Sequence, residues 1–224
     1  MHGLWSSLLI AALACTALAG GGCQEAPKPY GTEARLRLPG QTQQVWAVAP
    51  VINLSGLKEV DPLLQADLVY EQLQQIDGLT VVPVNRVVEV YAGLKINSVK
   101  SPQQAEEVCE LLNCDALVVP TVTAYDPYDP PKLGASLQLF TRSASNAAQN
   151  DPAESARFLQ AVAMFDAANG SVREAVLSYA AGRSDPQSPM GPREYLESMD
   201  RYCGFVYNAL AADLLRQMKK QSPA

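Results

Sequence analysis

Residues 115–134, DALVVPTVTAYDPYDPPKLG, constrain what this chain can fold into more than any other stretch. The continuous apolar run 116–124, rich in β-branched residues, suits a strand buried on both faces at the centre of a sheet. Pro127, Pro130 and Pro131 then remove ladder donors, so the chain must leave the sheet sharply. The residues before the run read as βα units, and those after it as an antiparallel hairpin and helices. The fold class is therefore α/β: a single domain with a mixed β-sheet from βα units plus an antiparallel hairpin, covered by helices and closed by a long C-terminal helix.

The flanking pattern fills in this frame. VWAVAPVINLSG, residues 45–56, is a strand with a polar tail. Asp61-Pro62 starts a helix as N-cap and first residue, with Leu64, Leu68, Val69, Leu73 and Ile76 as its apolar face. Residues 79–84 form a parallel strand, and residues 85–93 read as a short helix capped by Asn85, although their valines leave a strand open. Ser101 and Gln104 make a capping box before a helix through Ala105, Val108, Leu111 and Leu112. Ala49-Pro50, Val82-Pro83 and Val119-Pro120 mark three similar strand ends. Beyond the prolines, residues 133–142 alternate as a half-buried strand, residues 143–155 are a polar loop, and residues 157–165 return as the hairpin partner. Ser171 and Glu174 form a second capping box. Residues 193–220 carry the longest helical pattern, with Leu196, Met199, Cys203, Val206, Leu210, Leu214 and Met218 at steps of three and four.

The first 22 residues contain no Asp, Glu, Lys or Arg. Their apolar run 8–19 falls short of the roughly 20 residues that a membrane span needs, so residues 1–22 are expected to be a signal peptide. Gly20-Gly21-Gly22 followed by Cys23 resembles a lipobox, which implies a diacylglyceryl-modified Cys23. Ala17-Leu18-Ala19 is also an acceptable cleavage site for an unlipidated secreted protein. Residues 23–44, with Pro27, Pro29, Gly31, Pro39 and Gly40, read as the lipidated cysteine and a flexible tether, residues 45–220 as the domain and residues 221–224 as a tail. Gln24 resembles the outer-membrane sorting pattern, which places the domain on the periplasmic side of that membrane. The alternative is a soluble periplasmic or secreted form.

Lys and Arg total 17 against 23 Asp and Glu, a net charge of −6 that argues against a nucleic-acid partner. The single histidine is His2, inside the expected signal peptide. A mature chain without imidazole excludes Ser-His-Asp and Cys-His catalysis and histidine metal ligands. The cysteine spacing does not suit zinc, so no cofactor, metal or catalytic residue is expected, and the chain is not expected to be an enzyme.

AVAPVINLSG, TVVPV and AEEVCELLNCDALVVPTVT resemble, in this order, the TolB amino-terminal domain and its relatives. Those relatives include the curli-secretion (CsgG-like) lipoproteins and the outer-membrane lipoproteins that activate penicillin-binding proteins. The resemblance covers residues 45–142. The segments YDPYDPPKLG, FDA and MDRY further resemble lipoproteins of planctomycete-type bacteria. This implies a non-catalytic interaction or assembly component of the cell envelope, anchored in the bilayer through the Cys23 acyl chains and contacting an envelope protein. Its rivals are a subunit of a curli-type secretion channel and a secreted enzyme.

Three groups of residues are candidate sites. Tyr125, Asp126, Tyr128 and Asp129 form either a stiff strand connection with local Asp hydrogen bonds or a rigid aromatic docking surface. Cys109, Cys114 and Cys203 are core thiols or contribute to a disulfide. Asn53, Ser55, Gly56, Asn85 and Arg86 are expected outside the carboxyl ends of the parallel strands, where helix capping is the simpler role.

Overall fold

A computed structural model of the chain describes residues 35–40, 42–142, 158–185 and 187–221. The signal peptide, Cys23, most of the tether, the loop 143–155 and the last three residues lie outside the described residues. Strands β1 (Gln44–Val48), β2 (Ile52–Asn53), β3 (Leu79–Val82), β4 (Ala116–Asp126), β5 (Lys132–Thr141) and β6 (Phe158–Asp166) form one mixed sheet. Its order is β3-β1-β4-β5-β6, with β2 also pairing β4. β1 runs parallel to β3 and β4, whereas β5 runs antiparallel to both β4 and β6. β4 thus joins the two halves, and it is buried without interruption from Ala116 to Val122.

Pro120 does not end a strand. Val118 O accepts from Ala49 N at 2.9 Å, so the backbone groups of Val118, and by alternation those of Pro120, face β1 and β2. The β1 register stops at Val48 opposite Val118, and β2 resumes at Ile52 opposite Thr121. The missing N–H of Pro120 falls into that gap, where it breaks no ladder bond.

Alternation along the strands feeds two cores. Trp46, Val48, Ala116 and Val118 face α1 (Pro62–Gln74), α4 (Gly170–Ala181) and α6 (Met199–Gln221). Ala47, Ala49, Leu117 and Val119 face α2 (Val84–Leu94) and α3 (Pro102–Leu112). The chain joins the first core before Val45: Leu36 and Leu38 are buried, Leu38 N donates to Asp77 O at 3.0 Å, and Asp77 N donates to Leu36 O at 2.9 Å. Two apolar residues within the expected tether account for this, because each removes its surface from water.

The helix starts are mixed in outcome. Asp61 Oδ1 accepts from Leu63 N and Leu64 N, and Pro62 opens α1. The buried stripe of α1 is Gln65, Ala66, Val69, Gln72 and Leu73, while Leu64 is 47% exposed. Ser101 Oγ accepts from Gln104 N, and Gln104 Oε1 accepts from Lys100 N, a reciprocal cap displaced by one residue. Asn85 caps nothing, since α2 begins at Val84 after Pro83. Asn169, not Ser171, caps α4, its Oδ1 accepting from Ser171 N. The expected helix 193–220 is broken into a 3-10 turn (Gly191–Arg193), α5 (Glu194–Glu197) and α6, with Ser198 extended between the last two.

Candidate functional site

β4 and β5 meet where Asp126 pairs with Lys132, and the prolines form the connection. Asp126 Oδ1 accepts from Tyr128 N at 3.2 Å, the local turn bond expected of an aspartate there. Pro131 O accepts from Ala167 N at 3.0 Å, and Lys132 Nζ lies 2.7 Å from Asp166 Oδ2. This hydrogen-bonded pair raises the Lys132 pKa and lowers that of Asp166. Tyr128 stands 80% exposed at the tip beside exposed Asp126 and Asp129.

Tyr125 belongs elsewhere. The register shifts between Val122 and Ala124, and this bulge inserts one residue and reverses the alternation. Tyr125 thereby packs against the first core, and partial burial, with Cys203 and Asp200 nearby, pushes its phenol up to about 12. It is a packing residue, so of the four residues expected in a docking surface only Asp126, Tyr128 and Asp129 stand exposed.

A larger surface lies along β6. Leu159, Ala161 and Phe165 face the helices, whereas Phe158, Val162 and Met164 on the other parity are 45%, 65% and 56% exposed. They stand opposite Phe140, Ser136 and Gly134 of β5. The Phe140 and Phe158 rings lie 5.3 Å apart. A Cβ on Gly134 would come within 2.8 Å of Met164 Cε and of Thr123 Oγ1, so the glycine is what lets Met164 lie across the sheet. An antiparallel sheet open to water ordinarily shows polar residues on its wet face. Here only Gln160 interrupts an apolar row. β6 is also an edge strand, and Gln217 Nε2 of α6 donates to Gln160 O at 3.0 Å on it. The sequence carries this row as apolar residues at both parities of 158–165, a pattern that single-face alternation does not produce.

The thiols divide between the two sides of the sheet. Cys109 and Cys114, buried on the α3 side, hydrogen-bond to each other. That bond, then burial, holds the Cys109 thiol above its usual range, and the same bond lowers Cys114. Cys203 lies in the first core, where burial pushes it up to about 12 against a hydrogen bond from Gln65. All three are free core thiols.

The strand-end residues are spent on local folding. Asn53 Nδ2 donates to Leu57 O, Asn53 Oδ1 accepts from Ser55 N and Oγ, and Gly56 has a φ of +79°. Arg86 pairs with Glu89 on its own helix.

No family model matches the chain, and no curated protein matches it. Structural neighbours include bacterial lipoprotein domains at low identity. The LpoB C-terminal domain from Salmonella enterica is 14% identical with a TM-score of 0.38, over 46% of this chain and 76% of that one. Lipoprotein GNA1162 from Neisseria meningitidis is 17% identical with a TM-score of 0.42, over 62% of this chain and 98% of that one. The PelC dodecamer from Paraburkholderia phytofirmans is 13% identical with a TM-score of 0.34, over 62% of this chain and 84% of that one. Likeness at these scores carries no functional argument.

Proposed function

We propose that the chain is an exported lipoprotein, anchored in the outer membrane through acyl chains on Cys23 and facing the periplasm, that works as a non-catalytic interaction or assembly component of the bacterial cell envelope. The contact surface in this reading is the outer face of the β5–β6 hairpin, with Tyr128 at its end. The observation that carries it is the exposed row Phe158, Val162 and Met164 beside Phe140. Contiguous apolar surface of this kind marks protein interaction sites more often than ordinary solvated surface. The uncharged leader and the Cys23 context support the anchor.

A channel subunit needs strands of about 9–11 residues with one face toward lipid. β5 and β6 have that length, with 10 and 9 residues, but the inner residues of both pack under α6. Insertion would require that core to open, so the interaction reading is preferred.

The test is a Val162→Asp, Met164→Asp double variant of the full chain, assayed for thermal stability and for co-purification from its own envelope. Retained stability with loss of a co-purifying protein is the expected result. A stable variant that keeps every partner would remove this face from the account. The anchor is tested separately by mass spectrometry of the mature amino terminus, where an unmodified peptide beginning at Gly20 contradicts lipidation.

A further inference from the structure

Gln65 and Gln72 lie two turns apart on α1 and face the same interface, yet their amides are not equally satisfied. Gln65 Oε1 accepts from Tyr207 Oη at 2.6 Å, and its side chain also hydrogen-bonds the Cys203 thiol. Gln72 Oε1 accepts from Tyr179 Oη at 2.7 Å, which leaves its Nε2 without a hydrogen-bond partner among the described residues. Gln72 is only 6% exposed, and it lines a cavity of about 430 Å³ between α1, α4, α5 and α6. Tyr91 and Tyr202 carry the fully buried unpaired polar atoms among the described residues, so Gln72 Nε2 instead opens onto the cavity, where water or a ligand can accept from it. Gly204 of α6 leaves room for that amide at the cavity wall, since a Cβ there would stand 3.3 Å from Gln72 Nε2. Glycine inside a long helix is otherwise unfavourable.

The rim adds charge of both signs. The Arg183 guanidinium lies 4.0 Å from the centre of the Tyr179 ring and gives one donor to Tyr179 O, with no ion pair among the described residues. Arg201, over Tyr195, is already paired with Glu194 at 2.8 Å. Glu71 and Asp200 line the same cavity. An amide donor open to the cavity and a guanidinium without an ion pair among the described residues together suit a carboxylate. Two rim carboxylates call for a cation and repel a dianion. The volume lies in the range of small-ligand pockets.

We propose that this cavity binds a zwitterionic amino-carboxylate, a free α-amino acid or a short peptide, with its carboxylate on Gln72 Nε2 and Arg183 and its ammonium toward Glu71 and Asp200.

The test is thermal unfolding and titration calorimetry of the full chain with pools of L-amino acids, with trialanine, and with acetate and phosphate as controls. At ten times its Kd, a bound amino acid or peptide raises the Tm by about 3–6 °C, whereas acetate and phosphate do not. A response to free amino acids assigns the monomer, and a response to trialanine alone assigns peptides. Gly204→Ser, which fills the floor, and Arg183→Gln, which removes the unpaired cation, each weaken binding at least tenfold. Arg183 is partly exposed, so Arg183→Gln decides the matter if Gly204→Ser does not fold. No response to any pool, an equal response to acetate or phosphate, or unchanged binding by folded variants overturns the proposal.

Discussion

Tyr207 on α6 donates its hydroxyl to Gln65 Oε1 on α1 at 2.6 Å, and both side chains are buried. Tyr207→Phe therefore strands a buried amide oxygen. The expected cost is about 1–3 kcal/mol, the penalty for a buried polar atom left unpaired. Urea unfolding measures it. Adding Gln65→Leu to Tyr207→Phe should recover part of the loss, because removing both partners is milder than removing one.

The opposite sign is expected at Tyr202. It is fully buried, and its hydroxyl has no hydrogen-bond partner among the described residues. Tyr202→Phe keeps the ring beside Phe205 and discards only the unpaired group. Stability should stay level or rise by up to about 1 kcal/mol. Unfolding both variants side by side checks the sign, and a loss at Tyr202 comparable to that at Tyr207 would contradict the assignment.

Alkaline pH should unfold the protein through its buried acids. Burial pushes Tyr125 and Tyr179, and the Cys203 thiol, up to about 12, and raises Tyr91, Tyr202 and Tyr207 as well. Unfolded tyrosine titrates near 10. Between about pH 10 and 12 the folded state thus holds more protons, so the stability present below pH 10 falls as pH rises through that window. Of the nine tyrosines these are five, so most of the phenolate absorbance change should coincide with loss of the circular dichroism signal.

Two tyrosines of one proline-rich segment should separate cleanly. Tyr125→Ala removes a ring packed under α6 and should cost about 1–3 kcal/mol, whereas Tyr128→Ala at the exposed tip should stay within about 0.5 kcal/mol of the parent. Melting temperatures of the two variants decide this.

That separation also marks the limit of what the residues alone reveal. The mixed sheet, the hairpin and the caps at Asp61 and Ser101 follow from period and turn chemistry, both of which are local. Tyr125 is misplaced without the bulge at Thr123, because alternation counted from Val118 sends it to the wrong face. The apolar face expected of α1 includes Leu64 and leaves out Gln65 and Gln72, because a helical stripe can be rotated when two glutamines find tyrosine partners on distant helices. The break at Ser198 is equally hidden, since the apolar steps of three and four continue through it. The outer row of β6 is visible only as a failure to alternate, and its meaning requires knowing that α3 reaches this face of the hairpin at Phe140 of β5 and leaves Val162 and Met164 of β6 exposed.

The central claim, contact through that exposed row, is most directly measured by site-specific photocrosslinking in the native envelope. A photoreactive residue is placed at Val162, at Tyr128 and, as a control on the exposed surface of α3, at Glu110. The account predicts a discrete protein adduct from position 162, the same partner from position 128, and none from position 110. No adduct at 162 above the level at 110 would contradict it.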